Sequence, residues 1–121
     1  MTEISNTKQY DLEERTYQFA KKVALFCKQL SRTISNIEYV KQVVRSSGST
    51  GANYIEANEA FSKKDFNMRI KICRKEAKES AYWLRLIIET NDKKFEEEAI
   101  AFLKEAVELK KIFSSIIEKS K

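Results

Sequence analysis

The sequence predicts an all-α protein, an antiparallel up-down-up-down four-helix bundle. The chain of 121 residues has no proline and only 2 glycines, so the strongest breakers of regular structure are almost absent. Apolar residues recur at three- and four-residue steps in four stretches, a pattern typical of helices with one buried stripe. The breaks between the stretches are short, which makes successive helices antiparallel neighbours. The length suits one domain with its own core.

The first helix is predicted to begin at Asp11, which can cap a helix with Glu14 three residues on. Residues 1–10 are polar and are expected to form a flexible lead-in, without the apolar stretch of a signal peptide. The bundle domain is therefore assigned to residues 11–121. Its first apolar stripe consists of Leu12, Phe19, Val23, Phe26, Cys27 and Leu30.

The second helix is predicted to start with a similar capping pattern, Ser35 followed by Glu38, and to end near Ala60. We expect this helix to bury one stripe against the other helices. The predicted stripe consists of Ile37, Val40, Val44, Gly51 and Ile55.

Residues 46–52 of this helix, Ser-Ser-Gly-Ser-Thr-Gly-Ala, are poor helix formers. A glycine inside a helix costs about 1 kcal/mol relative to alanine. The segment could be a flexible break at Gly48, a continuous helix with a thin face for a close neighbour, or a phosphate-binding loop. The G-x-x-x-x-G-K-[ST] spacing of a phosphate loop is absent. Val44 and Ile55 stay in phase across the segment, which favours the continuous helix.

Ser62 with Asp65 predicts the start of a third helix, and Asn91-Asp92 predicts the break before a fourth. The stripe of the third helix consists of Phe66, Ile70, Cys73, Ala77, Ala81, Leu84 and Ile88. The stripe of the fourth consists of Phe95, Ala99, Phe102, Leu103, Ala106, Leu109, Phe113, Ile116 and Ile117.

The sequence contains no histidine, which excludes Ser-His and Cys-His catalysis and the Glu-x-x-His pairs of di-iron bundles. Carboxylates recur at helical spacing, as in Glu56 with Glu59, but nearby lysines and arginines indicate solvated or salt-bridged faces. The two cysteines, Cys27 and Cys73, fall on apolar stripes and are interpreted as core residues. We therefore expect no enzyme activity, metal or cofactor.

The net charge of +5 is concentrated on the third helix, where residues 62–90 carry eight basic and four acidic side chains. At 100° per residue, one side of that helix gathers a basic row that faces away from its apolar stripe. Such a row with an aromatic among its members favours binding to nucleic-acid phosphates, and the alternative is a solvated face. The row consists of Lys64, Lys71, Lys75, Lys78, Tyr82 and Arg85.

Trp83 is the only tryptophan and lies on another side of the third helix. With Ile72 and Ile87 it predicts a subunit interface, because tryptophan is a favoured interface anchor. The alternative is that Trp83 packs within its own chain at a shoulder of the bundle.

Several segments of the chain resemble the 23S rRNA-intervening-sequence protein family. They occur in the family's order between residues 11 and 88, whereas the fourth helix matches only in character. Tyr54 departs from the family, whose members often have a smaller or charged residue there. The segments are Asp11-Leu12-Glu13-Glu14-Arg15-Thr16-Tyr17-Gln18-Phe19-Ala20, Val43-Val44-Arg45-Ser46-Ser47, Gly51-Ala52-Asn53-Tyr54-Ile55-Glu56-Ala57, Lys63-Lys64-Asp65-Phe66 and Lys75-Glu76-Ala77-Lys78-Glu79-Ser80-Ala81-Tyr82-Trp83-Leu84.

The resemblance implies a bacterial four-helix bundle that assembles as a ring-like homopentamer and has no enzymatic activity. Members are often encoded within insertions in 23S rRNA genes, and related bundles serve retroelements by engaging nucleic acid and a reverse transcriptase. The family pattern also suggests a structural ion pair between Arg45 on the second helix and Glu76 or Glu79 on the third.

The function predicted from these features is a non-catalytic, homo-oligomeric scaffold that binds structured RNA or DNA through the basic row. The alternative is an adaptor that binds a nucleic-acid enzyme and makes no direct contact with nucleic acid. No apolar run reaches the length of roughly 18 residues that a membrane span needs, so we expect a cytoplasmic protein without a membrane partner.

Overall fold

The computed structural model describes the backbone of residues 3–121 and the side chains from Leu12 onward. The described chain forms four α-helices with a short 3₁₀ turn before the last, which confirms the predicted four-helix architecture. The elements are α1 (Glu3–Cys27), α2 (Ile34–Asn58), α3 (Lys63–Thr90), the turn Lys93–Phe95 and α4 (Glu96–Lys119).

Neighbouring helices run antiparallel, because hydrogen bonds join the beginning of one helix to the end of another. Asn36 near the start of α2 donates from Nδ2 to Oδ1 of Asn91, just after α3, over 2.8 Å. Asn58 at the end of α2 donates to a carboxylate oxygen of Glu13 on α1, over 2.7 Å.

Contacts between α1 and α4 close the bundle. Arg15 donates two hydrogen bonds to the carboxylate of Glu105, over 2.7 and 2.9 Å. Further along α1, the ring of Phe26 packs edge-on against Phe95 and Phe102, with centroids 6.2 and 5.6 Å apart. The bundle is thus held by a surface ion pair at one level and an aromatic cluster at another.

The helix starts agree with the predicted caps in one case and differ in another. Ser62 caps α3 as predicted, since its Oγ accepts the backbone N–H of Asp65 over 3.1 Å. The predicted cap of α2 at Ser35 was wrong. Thr33 caps α2 instead, because its Oγ1 accepts the backbone N–H of Asn36 over 3.1 Å.

The predicted start of α1 at Asp11 was also wrong, because the helix begins at Glu3. The segment before Asp11 has neither proline nor glycine to stop the helix from extending towards the N-terminus. Residues 3–10 of the predicted lead-in are therefore the first turns of α1, and residues 1–2 lie outside the described residues.

The stripes predicted for α1, α3 and α4 form the core. Every one of their residues is buried or packs partly buried against the core. The largest side chains without exposed surface include Phe26, Phe113, Ile70 and Leu84, one or more from each of these helices. The period of 3.6 residues therefore identified the inner faces of these three helices correctly.

The stripe predicted for α2 was largely wrong, although the helix is continuous through residues 46–52 as predicted. Ile37, Val44 and Ile55 are exposed, and a face of mostly small and polar residues is turned inward. The buried residues of α2 are Asn36, Val43, Ser46, Ser47, Thr50, Gly51, Tyr54 and Ala57.

The polar inner face of α2 is stable because its hydroxyl groups find partners inside the bundle. Ser46 and Ser80 are 2.8 Å apart at their Oγ atoms, across the α2–α3 contact. The Thr50 hydroxyl donates to the carbonyl of Ser46 over 2.9 Å. A Cβ atom at Gly51 would lie only 2.9 Å from Oγ1 of Thr16, so the glycine lets α1 approach closely. On this face, hydrogen bonds between hydroxyl groups and the close approach of α1 at Gly51 thus take the place of apolar side-chain burial.

Both cysteines are free and buried, as predicted. Burial raises the pKa of the Cys27 thiol to about 11. It likewise raises the pKa of the Cys73 thiol to about 12. Both thiols therefore stay protonated, and unreactive as nucleophiles, at neutral pH.

We expect the free energy of unfolding to decrease as the pH rises above the pKa of an ordinary thiol. Between about pH 9 and 11 the folded state holds thiol protons that the unfolded state releases, so the free energy of unfolding decreases with pH. Urea unfolding at about pH 8 and about pH 10.5 measures this decrease. Cys73→Ala should show a smaller decrease than the wild type, and an equal decrease would contradict the assignment.

No helix within residues 3–121 is long and apolar enough to cross a membrane.

Candidate nucleic-acid interface

The basic row lies on the outer surface of α3, with all six of its members exposed. At a rise of about 1.5 Å per residue, the row extends roughly 30 Å from Lys64 to Arg85. Within the part of the chain whose side chains are described, none of its five cations forms an ion pair. Their charges are therefore free to meet a ligand.

A depression at the N-terminal end of α3 extends the basic row. It has a volume of about 610 Å³ and is lined by three lysines and one carboxylate, with Asn67 and Met68 between them. The charged lining residues are Lys63, Lys64, Asp65 and Lys71. Lys63 was absent from the predicted row because it points about 100° away from Lys64. Lys63 nevertheless lines the same depression, because it is the first residue of α3 and the depression lies at that end of the helix.

Two carboxylates of α3 are engaged on the side of the helix that faces α2. Nη1 of Arg45 lies 3.3 Å from Oε1 of Glu76, and the same guanidinium also contacts the carboxylate of Glu79. Hydrogen bonding to Glu79 raises the pKa of Arg45 above its usual value. The guanidinium thus compensates these acidic groups beside the basic row and ties α2 to α3.

Replacing Arg45 with methionine should destabilise the fold. The buried carboxylate of Glu76 would lose the cation that compensates its charge. We expect a cost of about 1–3 kcal/mol in the free energy of unfolding. The cost is no larger because Arg45 is 49% exposed, so that solvent screens part of the attraction. Thermal unfolding measures the loss. Arg85→Met is the matched control, because Arg85 is exposed and forms no ion pair with the described side chains. Equal melting temperatures for the two variants would show that the ion pair adds no stability.

An aromatic cluster stands beside the basic row. The ring of Tyr82 is 56% exposed and packs edge-on against Trp83, with centroids 5.0 Å apart. Nε1 of Trp83 donates to Glu79 over 3.1 Å, and the Tyr39 ring lies 6.1 Å from it. These contacts fix the Trp83 ring against which Tyr82 packs, and one face of the Tyr82 ring stays exposed, so that a base could stack on it.

The three residues predicted to form a subunit interface differ in how deeply they are buried. Trp83 and Ile72 are half-buried, and the Trp83 ring contacts Tyr39 of its own chain, so a part of each side chain stays accessible and their role in a subunit interface stays a prediction. Assigning Ile87 to the interface was wrong, because this side chain has 0% exposure. Since α3 packs against both α2 and α4, it buries a wider arc than one stripe, and Ile87 falls within that arc.

Among the described side chains, no group of three His, Cys, Asp or Glu residues is placed to hold a metal ion.

Comparison with known proteins relates the chain to one family. The family model of the 23S rRNA-intervening sequence protein matches residues 8–115. A crystal structure from Bacteroides thetaiotaomicron, described as a protein of unknown function from the S23 ribosomal protein family, is 31% identical, with a TM-score of 0.77. The similarity covers 92% of this chain and 98% of that chain. No functionally curated protein matches significantly.

Proposed function

The chain belongs to the 23S rRNA-intervening sequence protein family, and on that premise we propose that it is a non-catalytic, homo-oligomeric cytoplasmic protein that binds structured RNA or DNA. The basic row of α3 is the binding surface. The observation that carries the proposal is that five cations follow one exposed helix face for roughly 30 Å, and none of them has a carboxylate partner among the side chains of residues 12–121.

The physical basis is the release of counterions from the phosphate backbone. Duplex DNA carries one negative charge per about 1.7 Å of its axis, so each cation of the row can find a phosphate. Contacts of this kind give affinity and position but little sequence preference. Tyr82, exposed between Lys78 and Arg85, adds a ring on which an unpaired base could stack.

Oligomerisation would strengthen this binding, because several copies of a weak basic row present their charges together. The family resemblance implies five copies in a ring, and we retain that number as part of the proposal. Light scattering after size-exclusion chromatography measures the number of 14.1 kDa chains per particle.

A second candidate function is an adaptor for an acidic partner, such as a nucleic-acid enzyme. The observation in its favour is a groove of about 420 Å³ between α1 and α2. Its floor is largely apolar, and the charged residues in its lining, Lys28, Arg32 and Lys41, are all basic. Such a groove would suit an amphipathic acidic segment.

Fluorescence anisotropy of a labelled structured RNA and a labelled DNA duplex, titrated at low salt, tests the leading proposal. We expect saturable binding in the micromolar range or tighter. An anisotropy that stays flat at low salt for both nucleic acids would refute it. Capture of an acidic protein partner, with no nucleic-acid binding, would instead favour the adaptor.

A further inference from the structure

The groove between α1 and α2 is a surface that the basic row does not share. It has a volume of about 420 Å³ and is open to solvent. Aliphatic side chains form its floor, where Leu30 is buried, Val40 is half-buried, and Ile37 and Val44 are 47% and 40% exposed. Neighbouring apolar side chains that stay exposed in this way mark a place where another apolar surface can pack.

Both rims of the groove are basic. Lys28 on the α1 side and Lys41 on the α2 side are exposed, and Arg32 lies in the connection between the two helices. Among the side chains of residues 12–121, no carboxylate lines the groove or pairs with any of these three cations. The positive charge of the groove is therefore not balanced locally, and it is complementary to an acidic partner.

Lys28 and Lys41 lie opposite each other across the groove. Gly51 of α2 lies against Thr16 of α1, which fixes the register of these antiparallel helices. Lys28 stands twelve residues after Thr16, and Lys41 stands ten residues before Gly51. At about 1.5 Å per residue, the two cations differ in height along the bundle by only roughly 3 Å. An occupant of the groove therefore has one cation on each side.

The shape of the groove favours a helix over other acidic ligands. A small molecule is normally enclosed over most of its surface, whereas this groove leaves the outer side of its occupant in water. A nucleic acid would place phosphates over an aliphatic floor, and no aromatic side chain among the described residues lines the groove for a base to stack on. An amphipathic helix fits both features, because its apolar stripe covers the floor and its polar side stays in water.

Gly48 keeps the groove open at the end away from Arg32. It lies one turn beyond Val44 on the same face of α2, and a Cβ atom built there would meet nothing within 4 Å. Glycine weakens a helix interior relative to alanine, and no packing within the chain explains its presence at this position. From Ile37 to Gly48 the α2 side of the groove extends roughly 16 Å, the length of about three helical turns.

We propose that the α1–α2 groove binds an acidic amphipathic helix of another protein. The bound segment has about three turns, and its apolar residues recur at three- and four-residue steps and cover Ile37, Val40 and Val44. Carboxylates on both borders of that apolar stripe pair with Lys28 and Lys41, as charges at the edges of a coiled-coil seam do. This inference rests on the second candidate function, and it defines the chemistry of the partner.

One chain can hold the partner helix and a nucleic acid at the same time. Helix α1 packs against α2 and α4, and α3 packs against the same two helices, so α1 and α3 stand at opposite corners of the bundle. The basic row lies on the outer side of α3, away from the core and from α1. An occupied groove therefore leaves the basic row accessible, and the two surfaces together connect a protein to a nucleic acid.

A synthetic acidic peptide tests the groove directly. The probe is a fluorescein-labelled peptide of about 18 residues, long enough to form a helix, with leucine at three- and four-residue steps and glutamate on both borders of the leucine stripe. We expect saturable binding to the wild-type protein in the micromolar range, measured by anisotropy. A second peptide, with lysine in place of every glutamate, should bind much more weakly. Equal affinities for the two peptides, or no binding of the acidic peptide, would overturn the proposal.

Charge reversal locates the peptide on the protein. The double variant Lys28→Glu with Lys41→Glu should weaken peptide binding on the order of tenfold or more, because both rim contacts become repulsive. The double variant Lys104→Glu with Lys111→Glu is the matched control, since it makes the same change in net charge at exposed positions of α4. Circular dichroism checks that both variants stay helical. Equal losses of affinity in the two double variants would contradict binding in the groove.

Two further measurements separate the groove from the basic row. Reversal of Lys71, Lys75 and Lys78 to glutamate should retain most of the peptide affinity, and a loss as large as that of the Lys28 and Lys41 variant would place the peptide on the basic row and overturn the proposal. A saturating DNA duplex should leave peptide binding in place. If the duplex binds and the acidic peptide does not, the groove proposal fails and the nucleic-acid function stands. If the peptide binds and the duplex does not, the groove proposal stands alone.

Discussion

Reversal of Lys71, Lys75 and Lys78 to glutamate is expected to reduce nucleic-acid affinity on the order of a hundredfold or more at low salt. The three ammonium groups lie on consecutive turns at the centre of the exposed row on α3. Each reversal removes one phosphate contact and places a negative charge against the backbone. Because all three side chains are exposed, the change leaves the core intact. Anisotropy titration of a duplex measures the loss, and thermal unfolding should show an unchanged midpoint.

A second triple variant separates the surface from the net charge. Lys104, Lys111 and Lys119 are exposed lysines of α4. Reversing either set of three lysines to glutamate changes the formal net charge from +5 to −1, since each reversal removes two units. The α4 variant should retain most of the wild-type affinity. Equal losses in the two variants would mean that the total charge, and not the basic row, determines binding.

The two glycines of α2 should respond in opposite directions to substitution by alanine. Gly51→Ala places a methyl group 2.9 Å from Oγ1 of Thr16, a short, branched side chain that cannot swing away. Thr16 is itself buried and donates to the carbonyl of Leu12 over 2.9 Å, so the α1–α2 contact must open. We expect a destabilisation of about 1–3 kcal/mol, measured by urea unfolding.

Gly48→Ala is the matched control on the same helix. Its methyl group meets open space within the chain, so the gain in helix propensity should stabilise a single chain by up to about 1 kcal/mol. If both alanine variants lost stability equally, the close α1–α2 approach at Gly51 would not be the cause.

Periodicity predicted the inner faces of α1, α3 and α4 but not that of α2. Apolar side chains mark the inner face only where apolar burial decides which side turns inward. On α2 two contacts determine which side faces inward. The hydroxyl of Ser46 hydrogen-bonds with that of Ser80 on α3, and Gly51 has no side chain and so lets Thr16 of α1 pack against the helix backbone. Both contacts join residues far apart in the chain, so no local pattern reveals them.

The candidate site was more accessible to sequence reasoning than the core of α2. The basic row depends only on the helical period and on the absence of neighbours, so all of its members are exposed as the period indicates. Ile87 shows the limit of this reasoning, because the width of the buried arc depends on how many helices surround α3. The contact of Arg45 with Glu76 and Glu79 was suggested only by the family pattern and not by spacing.

The salt dependence of duplex DNA binding tests the central claim most directly. If the basic row binds phosphates, the logarithm of the affinity should fall linearly with the logarithm of the salt concentration, by about 0.9 for each phosphate contacted. The slope of the Lys71, Lys75 and Lys78 triple reversal should then be shallower by roughly 2.7, one increment for each lysine. A wild-type affinity that does not change with salt, or a triple variant with the wild-type slope, would contradict the assignment of the basic row as the nucleic-acid interface.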